Sequence, residues 1–179
     1  YANTDIGARI ASAHQTGDGL YNNTLYQAVG DAVKFEAVNP ISFGNNIVRV
    51  GTGYALNIDA GTLANLGSNW NLFNTLTTSA HVALSGGQNR TSLANWQAVS
   101  GDDLNSKSGD PKFLDMDGAD NILGDQGVST GNGFDDNFGL DAFSPAIDAG
   151  NQYIAPRTDI ENRNRHDDPA TPNTGTGLD

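Results

Sequence analysis

A spacing of 23 residues constrains this chain more than any other feature. Asn23, Asn46 and Asn69 share it, as do Leu20, Phe43 and Leu66; Gly7, Gly30 and Gly53; Ile10, Val33 and Leu56; and Ser12, Phe35 and Ile58. Columns that keep one spacing in the 20s through three copies are the signature of a solenoid, in which each unit buries its apolar side only against the next. Within a copy the period is two. Asp31, Val33 and Phe35 fall on one side of a run whose other side is Ala32, Lys34 and Glu36, and 23 residues on, Tyr54, Leu56 and Ile58 oppose Ala55, Asn57 and Asp59. That is strand periodicity. A second strand-like run follows each asparagine: Thr24-Leu25-Tyr26, Ile47-Val48-Arg49-Val50 and, one residue out of step, Trp70-Asn71-Leu72-Phe73.

Two or three short strands per copy, with Gly and Asn at the corners, predict an all-β, right-handed parallel β-helix. A leucine-rich repeat would need its leucine ladder and a helix in every turn. Asn23, Asn46 and Asn69 are expected to stack as an amide ladder at a bend, since asparagine tolerates the left-handed backbone such a bend requires. The predicted inward residues are Ile10, Val33, Leu56, Phe35, Ile58, Leu20, Phe43 and Leu66. A hydrophobic content of 37% is enough for a core that is a narrow column rather than a sphere.

The period loosens after Phe73. His81-Val82-Ala83-Leu84 reads as one more strand with Val82 and Leu84 inward, and Ser92–Val99 as a short helix capped by Thr91 or Ser92, its Trp96 covering the last coil. This divides one continuous domain into coils over 1–90, a capping helix and Asp-rich closing loops over 91–150, and a polar extension over 151–179 whose last ten residues are expected to be extended or poorly ordered. The chain opens inside its own repeat and without Met, so it reads as a piece of a longer protein. The first coil is then expected to expose an unpaired cross-section to preceding coils.

Several segments together resemble a known group. These are Asn45 to Asp59, Leu93-Ala94-Asn95-Trp96-Gln97-Ala98, Asp110-Pro111-Lys112-Phe113-Leu114-Asp115, and above all Ser144-Pro145-Ala146-Ile147-Asp148-Ala149-Gly150-Asn151 with Thr158-Asp159-Ile160 and Arg165. They resemble large secreted bacterial right-handed parallel β-helix proteins, including the cell-surface group called choice-of-anchor Q and long multi-domain proteins of planctomycete type. The resemblance implies a secreted or cell-surface location, a Ser-Pro-Ala-Ile-Asp-Ala-Gly segment that closes the β-helix, and no single activity, because the group is defined by shape. Asn162 stands where the group usually has Gly, and the customary Asp-Ile-Gly-Ala-Tyr-Glu-like final strand is missing.

The net charge of −12 argues against nucleic acid, whose binders cluster Lys and Arg against phosphates. Of 21 acidic residues only Glu36 and Glu161 are glutamates, a skew that suits turns and oxygen-ligand cation sites. Asp115, Asp117 and Asp120 around Gly118 are candidate calcium ligands, with Asp125, Asp135 and Asp136 as further donors, although no EF-hand glutamate follows. On the outer face Glu36 and Asp59, with Lys34 beside them, are the candidate acid and base of a polysaccharide lyase or glycoside hydrolase acting on acidic polysaccharide. The preferred reading is a non-catalytic structural or adhesive surface module that contacts carbohydrate. His14, His81 and His166 have no spaced metal-ligating partner, no Gly-x-Ser-x-Gly elbow occurs, and Trp70, Trp96 and Tyr54 are assigned to core and cap. No cysteine and no apolar run of about 18 residues is present.

Overall fold

The computed structural model describes residues 4–12, 16–37, 40–128, 131–165 and 167–176, with backbone alone at 125–128 and 131–132. Each coil contributes three strands: β1 (Ile6–Ala11), β2 (Gly19–Tyr21) and β3 (Thr24–Gln27); β4 (Asp31–Glu36), β5 (Ile41–Gly44) and β6 (Ile47–Val50); β7 (Gly53–Ile58), β8 (Leu66–Asn69) and β9 (Leu72–Thr75). β10 (Ala80–Ser85) opens a fourth. Strands of the same rank pair in parallel, as β1-β4-β7-β10, β2-β5-β8 and β3-β6-β9. The chain is therefore a parallel β-helix.

The 23-residue step holds where the sequence placed it most firmly. Val33 pairs with Leu56, Phe35 with Ile58, Leu20 with Phe43 and Thr24 with Ile47. Elsewhere the step lengthens by an even number, two at three pairings and four between β7 and β10, where Ala83 registers with Leu56. Val33 lies over Ala8 and Phe35 over Ile10, a step of 25, because two more residues separate Ala11 from Gly19 than separate their partners Glu36 and Ser42. The short helix α1 (Ala60–Leu63), capped by Asp59, adds two residues before β8, so Phe43 pairs with Ser68 and Ile47 with Leu72. A slip of one would turn every side chain to the other face, whereas a slip of two keeps the faces and changes only the partners.

The asparagine ladder is consequently Asn23, Asn46 and Asn71, not Asn69. Asn46 Oδ1 accepts from the amide and side chain of Asn23, and Asn46 donates Nδ2 to Leu20 O at 3.0 Å and to Asn71 Oδ1 at 3.2 Å. Both Asn46 and Asn71 are buried. Asn69 ends β8 at the edge of this corner, its Oδ1 accepting from the amides of Trp70 and Asn105. The glycine column also shifts in the first coil: Gly30 packs on Asp5 rather than Gly7, while a Cβ at Gly53, where φ is +77°, would run into the Gly30 carbonyl.

The alternation within β4, β7 and β10 breaks at one point. Ala32 and Val33 are both buried, as are Ala55 with Leu56 and Val82 with Ala83, so each strand bends between those two residues. Asp31 and Tyr54, expected inward or in the core, therefore stand half-buried on the outer side beside His81, where Asp31 Oδ2 accepts from Asn57 Nδ2 at 2.6 Å. Leu84 registers with Asn57 and points outward as well, contrary to expectation. Of the predicted core, Val33, Phe35, Phe43, Leu56, Ile58 and Leu66 are buried, and Ile10 and Leu20 pack partly exposed against them at the first coil. Phe35 and Phe43 meet edge to face at 5.9 Å, a geometry that aromatic quadrupoles favour.

Beyond β10 the stack is closed. β11 (Gln88–Arg90) turns back antiparallel on β10, and α2 (Leu93–Ser100) follows, with Ser92 Oγ accepting from the Asn95 amide and Gly101 ending it at φ +76°. Trp96 is fully buried beneath this cap, as the sequence indicated. The chain then lays down part of a fourth coil: the Asp103 amide donates to Ser68 O, and β12 (Lys107–Ser108) pairs with β9. Among the described residues, β1, β2 and β3 are each paired on one side only, and no helix covers Ile6 or Ile10.

Asp102, at this junction, is pushed up to about 6 from 3.8, first by burial and then by the charge of Asp103, against the Ser68 amide that holds it down. A carboxyl raised in the folded state contributes stability below 3.8 that is lost as pH climbs through about 6. Asp102→Asn is therefore expected to stabilise the protein at pH 7.5 by about 1 kcal/mol, a figure discounted for the group's half exposure, and to leave it unchanged at pH 3.5. Urea titrations at the two pH values check this.

Candidate functional site

Three places carry the polar chemistry of the molecule. The first is the outer face of the β1-β4-β7-β10 sheet. Glu36 is held between Arg9, one coil back, and Lys34, at 2.7 Å. The Lys34 and Arg9 hydrogen bonds, in that order, hold its carboxyl below the usual carboxylate range. Asp59 is in the neighbouring coil as its spacing requires, but it faces backbone: Oδ1 accepts from the Thr62 amide at 2.7 Å and Oδ2 from the Ala37 amide at 2.6 Å. Hydrogen bonding from Thr62 and then Ala37 lowers its pKa too. Both carboxylates are thus held ionised, whereas general-acid catalysis needs one of them raised. Farther along this face the Tyr54 and His81 rings lie 5.7 Å apart, with Asn89 bonding both.

The second is the acidic loops. β13 (Phe113–Asp115) pairs antiparallel with β16 (Asn137–Leu140), with a small hairpin of β14 (Asp125–Val128) and β15 (Gly131–Asn132) between them. Gly118 is at φ +59°, as the sharp turn required, and a Cβ there would strike the Asp135 carboxylate. Asp115 is exposed while Asp117 and Asp120 are half-buried. Asp120 Oδ1 accepts from the Ile122 amide, Asp135 Oδ2 from the Asp120 amide and Asp136 Oδ2 from the Gly124 amide. The carboxylates hold the turn's own backbone, and among the described residues no three acidic or histidine side chains converge as a metal shell. The Asp125 side chain, His14 and His166 lie outside the described residues.

The third was not read from the sequence. The Ser144–Asn151 segment, which the resemblance implies closes the β-helix, runs along its flank instead and travels back toward the first coil. Lys107 of the fourth coil donates to Pro145 O, Asn45 of the second exchanges two hydrogen bonds with Asn151, and Asn22 of the first donates to Ile154 O. Asp148, 1% exposed, ties this strap to the tail: its Oδ1 accepts from the Asp168 amide, and its carbonyl from the Thr174 and Gly175 amides. Within 170–176 the Thr171, Thr174, Gly175 and Thr176 amides are hydrogen-bonded, while 177–179, the rest of the tail expected to be extended or poorly ordered, lie outside the described residues; Asn162 adopts φ +62°.

Between the strap and the corner of the coils lies a cleft of about 650 Å³. Trp70, Ile47 and Leu72 line it from the β-helix, Ala146 and Ile147 from the strap, and Arg163 and Arg165 from the turn beyond. Trp70 is half-buried here rather than in the core. Its φ is +62°, matching Asn22 at +59° and Asn45 at +55°, so the corner position that two coils give to asparagine holds tryptophan in the third. An L-residue other than Gly, Asn or Asp pays about 1 kcal/mol or more in this conformation. The visible signal was the dipeptide itself: Asn22-Asn23, Asn45-Asn46, then Trp70-Asn71.

Comparison with protein-family models, with curated proteins and with solved structures finds no match.

Proposed function

We propose that this chain is a non-catalytic structural or adhesive module of a larger secreted bacterial surface protein, a rigid parallel rod that contacts carbohydrate. The observation that supports this over a lyase or hydrolase is the state of the outer-face carboxylates, Glu36 in an ion-pair triad and Asp59 in a helix cap, each with a lowered pKa. Incubation with pectic, alginate and neutral polysaccharides is expected to release neither reducing ends nor unsaturated sugars. Release that Glu36→Gln or Asp59→Asn abolishes would establish the enzymatic reading instead.

The module reading carries two further elements. The open edges of β1, β2 and β3 are where preceding coils of a parent chain pair, in the way that successive coils pair here. Calcium in the acidic loops is the other, supported by Asp136 Oδ1, which is enclosed without a hydrogen-bond partner among the described residues, and by Asp117 and Asp120 in the turn that Asp135 caps. At free calcium about 100 times its dissociation constant, linkage stabilises by roughly 2.7 kcal/mol. The melting midpoint is expected to fall on chelation, and the Asp115→Asn, Asp117→Asn pair to remove the response while leaving the coils intact. An unchanged midpoint would leave the acidic turn as self-satisfied backbone.

A further inference from the structure

We propose that the cleft over Trp70 binds a neutral saccharide, with one pyranose ring stacked on the indole. The choice of residue is the first ground. A left-handed corner that accepts asparagine twice at no strain holds a strained, half-buried tryptophan on its third occurrence, and backbone strain retained at a cleft points to a role outside the fold. The ring is not needed by the core, which is filled by Phe43, Phe73 and Trp96.

Charge fixes the ligand class. The cleft brings together Lys107, Arg163 and Arg165 with Asp148, Asp159 and Asp168, three of each sign, in a chain of net charge −12. Two of the three cations are engaged, Lys107 donating to Pro145 O and Thr174 Oγ1 and Arg163 pairing with Asp159 and Glu161, while Arg165 donates Nε to Pro156 O, and three carboxylates stand among them. A polyanionic chain would meet repulsion from the rest of the surface with no surplus of positive charge here to offset it. A neutral polyol needs none. Carboxylates and guanidinium groups side by side accept from and donate to neighbouring hydroxyls, and Trp70 with Ile47 and Leu72 offers an apolar floor to the C–H face of a sugar ring. The volume lies within the range of small-molecule sites, about 300 to 1,000 Å³.

The inference rests on the module reading in one respect, that the protein binds carbohydrate without cleaving it. Its test uses the two tryptophans of the chain. Trp96 is buried away from solvent, so a saccharide that shifts tryptophan emission acts on Trp70. Cellohexaose, laminarihexaose and mannohexaose are titrated into the full chain, with hexagalacturonate as the charged comparison, and calorimetry gives the affinities. At least one neutral hexasaccharide is expected to shift the emission and to bind at least tenfold more tightly than hexagalacturonate. Trp70→Asn restores the residue that the other two coils use, so it is expected to melt no lower than the parent while losing at least tenfold in affinity; Trp70→Phe is expected to keep part of the binding. No response to any neutral hexasaccharide, equal affinity in Trp70→Asn, or tighter binding of hexagalacturonate overturns the proposal. Appearance of reducing ends during the titration would instead overturn the non-catalytic reading and leave the cleft's role in binding intact.

Discussion

Asp103→Ala is expected to destabilise the protein by about 4 kcal/mol, a large part of the 5 to 15 kcal/mol that holds a domain folded. Asp103 is completely buried, and its carboxylate joins three elements. Oδ1 accepts from Asn71 Nδ2 at 2.9 Å and from Ser106 Oγ at 2.5 Å, and Oδ2 accepts from the Trp96 indole at 2.7 Å. The end of the amide ladder, the fourth coil and the capping helix therefore share one acceptor group. Truncation strands the Trp96 indole donor in the interior at about 1 to 3 kcal/mol and takes an acceptor from Ser106 Oγ and from Asn71 Nδ2, which keeps Phe43 O and Ser68 Oγ, and alanine is also the poorer residue at φ +56°. Asp103→Asn separates these effects. It keeps the shape, the left-handed backbone and one acceptor, but turns an NH₂ group toward the indole N–H, for an expected cost of about 2 kcal/mol. Urea unfolding followed by circular dichroism gives both values, and loss of the blue-shifted Trp96 emission ahead of the main transition would show the cap leaving first. A midpoint for Asp103→Ala within 1 kcal/mol of the parent would mean that the cap is not held by this group.

The solenoid was legible because its determinants are local and periodic. Val33 over Leu56, Phe35 over Ile58 and Leu20 over Phe43 follow from composition at a fixed spacing, and the α2 cap from a Thr91 or Ser92 N-cap with Leu93 and Trp96 one turn apart. The misassigned pairings have one cause and the misassigned faces another. Insertions before β2 and at α1 are two residues long, the length that preserves inside and outside, so the apolar pattern looked continuous while Val33 moved onto Ala8 and Asn46 onto Asn71. The bend within β4, β7 and β10 was hidden because alanine at 32 and 55 fits either face. The strap could not be read at all. Its attachment is side-chain amide to backbone across 106 residues, Asn45 to Asn151, and nothing periodic marks such a pair. The same holds for the cleft, which exists only because the strap lies along the coils. At the outer face, residue type and column were right for Glu36 and Asp59, but their partners decide their chemistry, and Ala37 and Thr62 amides are not visible as partners in a sequence.

Asn46→Ala, set beside Asn69→Ala, distinguishes the ladder seen here from the one that a strict 23-residue spacing predicts. Asn46 is 1% exposed and serves both neighbouring coils, donating Nδ2 to Leu20 O and Asn71 Oδ1 and accepting from the Asn23 amide and side chain. Alanine removes the acceptor of the Asn23 amide and side chain and the side-chain donor to Leu20 O and Asn71 Oδ1, and the expected loss is about 3 kcal/mol. Asn69, half-buried at the edge of the corner, gives up only the acceptor for the Trp70 and Asn105 amides, for an expected loss of about 1 kcal/mol. Asn46→Asp sharpens the comparison, since it is isosteric but replaces the NH₂ donor with an oxygen that faces two acceptors, Leu20 O and Asn71 Oδ1. Its destabilisation is expected to match or exceed that of alanine at pH 7.5 and to shrink in acid, where a protonated carboxyl can again donate. Urea midpoints for the three variants at pH 7.5 and pH 4.5 read this directly. Equal losses for Asn46→Ala and Asn69→Ala, or an Asn46→Asp variant indifferent to pH, would restore Asn69 to the ladder and remove the two-residue slip at α1.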